Sequence, residues 1–401
     1  MRTTWNFQTA GQMIFGAGAT KRLAAWLQRR GFRRVLIVTD PILIQVGILS
    51  KIEDALRAPD LTLSTFGEGE AEPAVSTALR LIAQAADFRP DVLIGLGGGS
   101  NMDLAKIAAN VITHGGAPRD YFGWDQVPGP ILPLVCIPTT AGTGSEVSHA
   151  AVLTDTENQL KVSTLSPYLR PALALVDPEL TYSCPARVTA DSGIDALTHA
   201  IEAYTATDFS ELPLADGETS AYEGSTPLGS CLAERAIELI GQHLVTAVHE
   251  GNNPAARHAM ALAATTAGIA FSNCAVAVVH ALEYPLGAVL HCSHGAGNGL
   301  LLPHVMRFNL PTRLPQFAKI ASLLGENVAG LPLAEAAERA IVAVDRLRAA
   351  IGVPGRIREL GGTREQLPAF AEKAFGIKRL MMMNPRQPTS QDLLQILEAA
   401  Y

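Results

Sequence analysis

Apolar residues in the first half of the chain fall into short unbroken runs separated by helical patterns. RRVLIVTD (33–40), LTLSTF (61–66), DVLIGLGGGS (91–100) and ILPLVCIPT (131–139) are the runs. TALRLIAQAAD (77–87) and MDLAKIAANVI (102–112) between them have the 3.6-residue spacing of helices. Most runs are apolar throughout rather than at alternate positions, as in strands buried on both faces. Such strands alternating with helices predict a parallel sheet covered on both sides. After about Pro185 the strand signal fades, and Ala/Leu/Glu/Arg helices such as CLAERAIELIGQHLVTAVHE (231–250) and EAAERAIVAVDRLRAAIG (335–352) dominate. The expected organisation is an α/β domain over residues 1–186 and an all-helical one over 187–401. TDFSELPLADGETSAYEGSTPLG (207–229) has no periodicity and reads as a long surface insertion between helices.

Composition narrows the class. At 401 residues, 48% of them hydrophobic, the chain is long enough for two well-buried domains. The net charge of −7, from 38 acids and 31 bases with no long basic run, argues against nucleic acid as a partner. MRTTWNFQTAGQ at the start has no apolar signal-type stretch, and the Ala-rich run Met260–Val279 is interrupted by Thr265, Thr266, Ser272 and Asn273. That run reads as buried helices and not as a membrane span. Five cysteines without a CxxC pair suit a reducing compartment, so a soluble cytoplasmic enzyme is expected.

Three glycines, Gly97, Gly98 and Gly99, stand where a buried strand turns into a helix. Glycines let a pyrophosphate approach the backbone, and the helix N-terminus offers free N–H groups and a positive dipole end. A tight turn without a ligand would explain the motif less well, because ordering three glycines is entropically costly. FGAGA (15–19) lacks the third glycine and reads as a hairpin or loop turn. PTTAGTGSEVS (138–148) follows the fourth strand with hydroxyls at Thr139, Thr140, Thr143 and Ser145 that could line the same ligand, or serve ordinary loop chemistry. Asp40 closes the first run, placed to accept from a ribose and repel a 2′-phosphate, which favours NAD over NADP. With Pro41 next, a helix cap is the competing role.

In the helical half, Asp195, His199 and Glu202 are spaced four and three apart and share a helix face. Alone they describe an ion pair. HALEYPLGAVLHCSH (280–294) alters the balance, because an imidazole in an Ala/Val-rich helix is costly without a partner. One Asp with two or three His is a mixed oxygen/nitrogen donor set suited to Fe(II) or Zn(II) with an open position.

GGGSNMDLAK (97–106), PTTAGTGSEV (138–147), DSGIDALTHAIEAY (191–204) and HALEYPLGAVLHCSHG (280–295), in this order, resemble the iron-containing (group III) alcohol dehydrogenase family over essentially the whole chain. The resemblance implies a dehydroquinate synthase-like fold: an α/β dinucleotide-binding domain with a parallel sheet, then an all-α metal-binding domain. It implies Asp195, His199, His280 and His294 as metal ligands, with His291 outside the set. It also implies Gly97, Gly98, Gly99 and Ser100 at the pyrophosphate, Asp40 at the adenosine ribose, and Thr139, Thr140, Thr143, Lys161 and Leu180 lining the cofactor cleft. A homodimer acting on a small alcohol or aldehyde, with no membrane partner, is expected from the family. Two departures stand out. Tyr284 occupies the place of a proton-relaying histidine in many members, as a poorer relay near neutrality or a shaper of the pocket. AYEGSTPLG (221–229) resembles a segment of hydroxyacid–oxoacid transhydrogenases, which leaves a hydroxy acid open as substrate.

The expected reaction is hydride transfer between an alcohol and NAD, with the metal polarising the substrate oxygen. A dehydroquinate synthase-type lyase and a transhydrogenase are the competing enzymes, both of which keep their NAD. A binding protein without chemistry is the remaining alternative, disfavoured by the intact donor set.

Overall fold

A computed structural model of the chain describes residues 2–157, 160–214, 218 and 220–401. It forms two units, Gln8–Cys184 and Pro185–Tyr401, the latter joined by the residues up to Phe7. The sequence reading placed those first residues with the α/β domain, and the structure corrects it. Arg2 pairs with Glu223 at 2.5 Å, Asn6 donates to Glu223 at 3.1 Å, and Trp5 meets Phe209 edge-on at 6.5 Å.

Among the described residues the first unit has nine strands: β1 (Met13–Phe15), β2 (Arg34–Val38), β3 (Thr62–Phe66), β4 (Val92–Gly97), β5 (Gly123–Trp124), β6 (Leu134–Pro138), β7 (Ala150–Asp155), β8 (Leu160–Leu165) and β9 (Leu173–Val176). Six of them make one parallel sheet in the order β1-β9-β6-β4-β2-β3. The unbroken apolar runs follow from burial on both faces. Leu36, Val38, Leu93 and Leu134 face the helices Val75–Phe88 and Gly99–His114. Val35, Ile37, Ile94 and Ile137 face Leu23, Trp26 and Leu27 and the helix Ile48–Ala55. β2 leads to the helix on one face and to β3 on one side, whereas β4 leads to the helix on the other face and to β6 on the other side. The C-terminal ends of β2 and β4 are therefore the topological switch point, where such sheets take ligands.

Five strands escaped the sequence reading. β1, β5 and β9 are only three, two and four residues long, and β7 and β8 form an antiparallel pair in a second, three-stranded sheet with β5. FGAGA is not a hairpin turn: it follows β1, which runs parallel to β9. Its amides are taken, since Gly18 N and Thr20 N both donate to the Asp177 carboxylate at 3.1 Å, joined by the Thr20 hydroxyl at 2.9 Å.

In the helical unit, the helix Ala186–Thr205 packs against Pro227–His249, Pro254–Asn273 and His294–Asn309. Thr226 and Asn253 cap the second and third of these, each followed by proline at the first helical position, where its missing N–H costs nothing. The expected surface insertion is also corrected. Tyr222–Thr226 is buried, Glu223 N and Gly224 N donate to Asn273 O and Cys274 O, and Ser225 bridges to Asp208. The positions 215–217 and 219 of that segment lie outside the described residues.

Candidate functional site

At the switch point the backbone explains the three glycines one by one. Gly97 has φ +143°, and a Cβ there would meet Asn101 Nδ2 at 2.2 Å. Gly98 is the N-cap of the helix Gly99–His114 and has no side-chain cap; a Cβ there would meet nothing nearer than Thr140 Oγ1 at 3.8 Å. A Cβ on Gly99 would lie 3.1 Å from Thr143 Cγ2. The turn thus presents uncapped amides at the start of a 16-residue helix, with Ser100 in its first turn and the Thr140 and Thr143 side chains beside Gly98 and Gly99. Thr139 supports the turn from behind, its N–H donating to Gly97 O at 3.0 Å.

Asp40 does cap a helix: its Oδ1 accepts from Ile42 N (2.9 Å) and Leu43 N (3.0 Å). Its Oδ2 accepts from Asn101 Nδ2 at 2.7 Å, and Asn101 also donates to Leu96 O at 3.0 Å. Asn101 ties the end of β2 to the end of β4, a role the sequence reading missed although it lies in the same motif. The remaining two predicted residues sit differently. Lys161, on β8, pairs with Glu72 at 2.6 Å, and Leu180 buries its side chain in the core around Leu23 and Leu175.

The second site lies inside the helical unit. Asp195 comes from the helix Ala186–Thr205, His280 from Val278–Leu290, and His294 opens His294–Asn309. Glycines let the last of these helices come close: a Cβ on Gly295 would lie 1.9 Å from Asp191 O, and one on Gly297 2.8 Å from Glu283 Cγ. One donor atom each of Asp195, His280 and His294 lies within 4.8 Å of the others. His199 stands beside this group and outside it. Its ring stacks between Phe271 (4.2 Å) and His280 (4.7 Å), with Nδ1 3.9 Å from Asp195 Oδ2. His291 is exposed and terminates its helix at φ +51°.

Two carboxylates set the tautomers. His280 Nδ1 donates to Glu202 Oε2 at 2.6 Å, and the other Glu202 oxygen accepts from Val279 N at 2.7 Å. His294 Nδ1 donates to Glu283 Oε2 at 2.5 Å. With protons fixed on Nδ1, both Nε2 atoms offer lone pairs. Asn298 Nδ2 already lies among them, 2.8 Å from Asp195 Oδ1, 3.1 Å from His294 Nε2 and 3.2 Å from His280 Nε2, with two N–H groups for the three acceptors. Three acceptors converging on the NH2 of one neutral amide, with Asn298 Oδ1 left without a hydrogen-bond partner, fit a divalent cation. The His294 side chain remains 35% exposed, so the group has an open side. Tyr284 stacks on His294 at 6.1 Å, and burial raises its phenol above the ordinary value.

A family model described as iron-containing alcohol dehydrogenase matches residues 10–178, and one for the C-terminal part of that family matches residues 189–401. The chain is 38% identical to an NAD-dependent methanol dehydrogenase of Bacillus methanolicus, over 98% of this chain and 99% of that protein. It is 36% identical to a 1,3-propanediol dehydrogenase of Klebsiella pneumoniae, over 97% of this chain and 96% of that protein. A crystal structure of a 1,3-propanediol oxidoreductase superposes with a TM-score of 0.93 at 34% identity, covering 100% of both chains.

Proposed function

We infer the roles of individual residues from one premise: the chain belongs to the iron-containing alcohol dehydrogenase family and interconverts an alcohol and an aldehyde with NAD. The observation that carries the reading is the convergence of Asp195, His280 and His294. These three would hold Fe(II), or Zn(II), with His199 as the fourth donor beside them. When bound, the metal supplies Lewis-acid polarisation of the substrate oxygen, and NAD supplies the hydride acceptor. The chain's own residues do the rest. Glu202 and Glu283 hold the two imidazoles in the tautomer that leaves Nε2 free, and the open side at His294 admits the substrate oxygen. Phe271 and Tyr284 stack on His199 and His294, walls suited to a small, weakly polar alcohol. At the other site, Gly97, Gly98, Gly99 and Ser100 would receive the pyrophosphate with Thr139, Thr140 and Thr143. Asp40 would accept from the adenosine ribose and disfavour a 2′-phosphate.

Small primary alcohols and diols are the substrates this reading favours. A hydroxy acid is the second reading, and what supports it is AYEGSTPLG (221–229), the segment similar to hydroxyacid–oxoacid transhydrogenases. We further place the protein in the cytoplasm as a homodimer without nucleic-acid or membrane partners. The five cysteines, none in a disulfide, and the charge of −7 support that placement. In addition, no single helix among the described residues is long and apolar enough to cross a membrane. Light scattering during gel filtration tests the dimer.

Metal analysis combined with an NAD-linked panel of primary alcohols, diols and hydroxy acids tests the function. Net accumulation of NADH with a primary alcohol or diol is expected; NAD that stays bound and is never released reduced would favour a transhydrogenase. His280→Ala should lose metal and activity while the Gln8–Cys184 unit keeps its NAD affinity. Full activity in a metal-free His280→Ala protein would sink the assignment.

A further inference from the structure

We propose that Asp103 and Lys106 are positioning residues for the dinucleotide: they clamp the segment after Thr143, so that Thr140 and Thr143 keep their place over Gly98 and Gly99. The inference rests on the assignment of the pyrophosphate to that turn. Lys106 is fully buried, 0% exposed, on the helix that begins at the glycines. Its ammonium donates to Ala150 O (2.7 Å), Ser145 Oγ (2.9 Å), Ser148 Oγ (3.1 Å) and Ser148 O (3.2 Å). Asp103, one turn earlier on the same face, accepts from Ser145 Oγ (2.7 Å) and Val152 N (3.0 Å) and lies 3.9 Å from the ammonium. All of these hydrogen-bond partners fall between Ser145 and Val152. Ser145 closes the path to the turn, because its N–H donates to Thr143 Oγ1 at 3.3 Å.

One rigid helix thus carries both the amides that face the ligand and the two charges that fix the opposing threonines. Burial pushes Asp103 up and Lys106 down, and each charge opposes the other's shift. An apolar pair would fill the same space at no electrostatic cost. What the ion pair adds is directed hydrogen bonding: three ammonium N–H groups shared among four acceptors and two bonds accepted by Asp103, all to the one segment.

The test compares NAD with adenosine, which has the ribose for Asp40 but no phosphates. The double variant Asp103→Asn/Lys106→Met removes both charges, Ser145→Ala breaks only the shared link, and Thr143→Ala serves as the reference for the turn itself. Dissociation constants from calorimetry or NMR titration are read on protein whose circular dichroism matches the wild type. The double variant should weaken NAD about tenfold, and Ser145→Ala about threefold, with adenosine unchanged within about twofold. If Thr143→Ala weakens NAD but neither clamp variant does, the clamp is overturned. Equal loss of NAD and adenosine affinity overturns it too, since that is general loosening. If Thr143→Ala also leaves NAD untouched, it is the cofactor assignment that fails. Should the double variant not fold, Ser145→Ala alone decides by the same criteria.

Discussion

At the scale of single residues, His280 and His294 drew notice because they break an apolar local pattern, whereas Asp195 and His199 alone read as an ion pair and joined them through the family resemblance. Imidazoles in an Ala/Val-rich helix and a carboxylate beside an apolar stripe both demand partners. The groups that orient them were not legible in that way. Glu202 and His280 are 78 residues apart and Asn298 and Asp195 are 103 apart, so nothing local announces either bond. Glu283 is nearer, three residues after His280, yet it serves His294 and not its own neighbour. Both carboxylates carry a prediction. Glu202→Ala and Glu283→Ala should each retain metal about tenfold less tightly, measured by competition with a chelator, because a freed ring loses its tautomer and orientation. Tyr284 carries another. Tyr284→Phe keeps the ring that stacks on His294 and should hold kcat within about threefold, whereas Tyr284→Ala should raise the KM for the alcohol about tenfold. A large fall in kcat for Tyr284→Phe would instead make the hydroxyl a participant.

At the scale of elements, long strands buried on both faces declared themselves, and short or half-buried ones did not. β4 is apolar along its whole length, while β9 offers four residues between prolines and β7 alternates buried with half-buried positions. The segment 207–229 misled for a related reason. Polar composition suggests exposure, but Glu223 is buried because Arg2 and Asn6, more than 200 residues away, come to meet it. Helix-to-helix distance is also set by residues too small to leave a periodic signal. Gly295→Ala would drive a Cβ against the Asp191 carbonyl, a backbone atom that cannot rotate away. We expect a loss of about 2–4 kcal/mol in urea unfolding together with weaker metal retention. Gly98→Ala, whose Cβ would make only an ordinary contact with Thr140 Oγ1 at 3.8 Å, should fold normally and weaken NAD binding instead.

At the scale of the whole molecule, each unit has its own buried residues, and in the helical one His304 couples stability to acid. Burial, helped by Arg356, Arg307 and Arg348 and opposed by Asp345, lowers the His304 pKa from 6.5 to about 4. The unfolded chain therefore binds a proton that the folded chain refuses, so stability is complete above pH 6.5 and declines from there toward pH 4. Urea midpoints at pH 7 and pH 5 should differ less in His304→Gln than in the wild type. An identical difference in the two proteins would remove His304 as the cause. The turn at Gly18 and Thr20 has a consequence at this scale as well. A fold with two glycine-rich turns risks sending its nucleotide to the wrong one. Here the chain supplies its own carboxylate, Asp177, to the second turn. The Gly18–Thr20 turn is thus engaged from within the chain, its amides turned to a carboxylate 157 to 159 residues away.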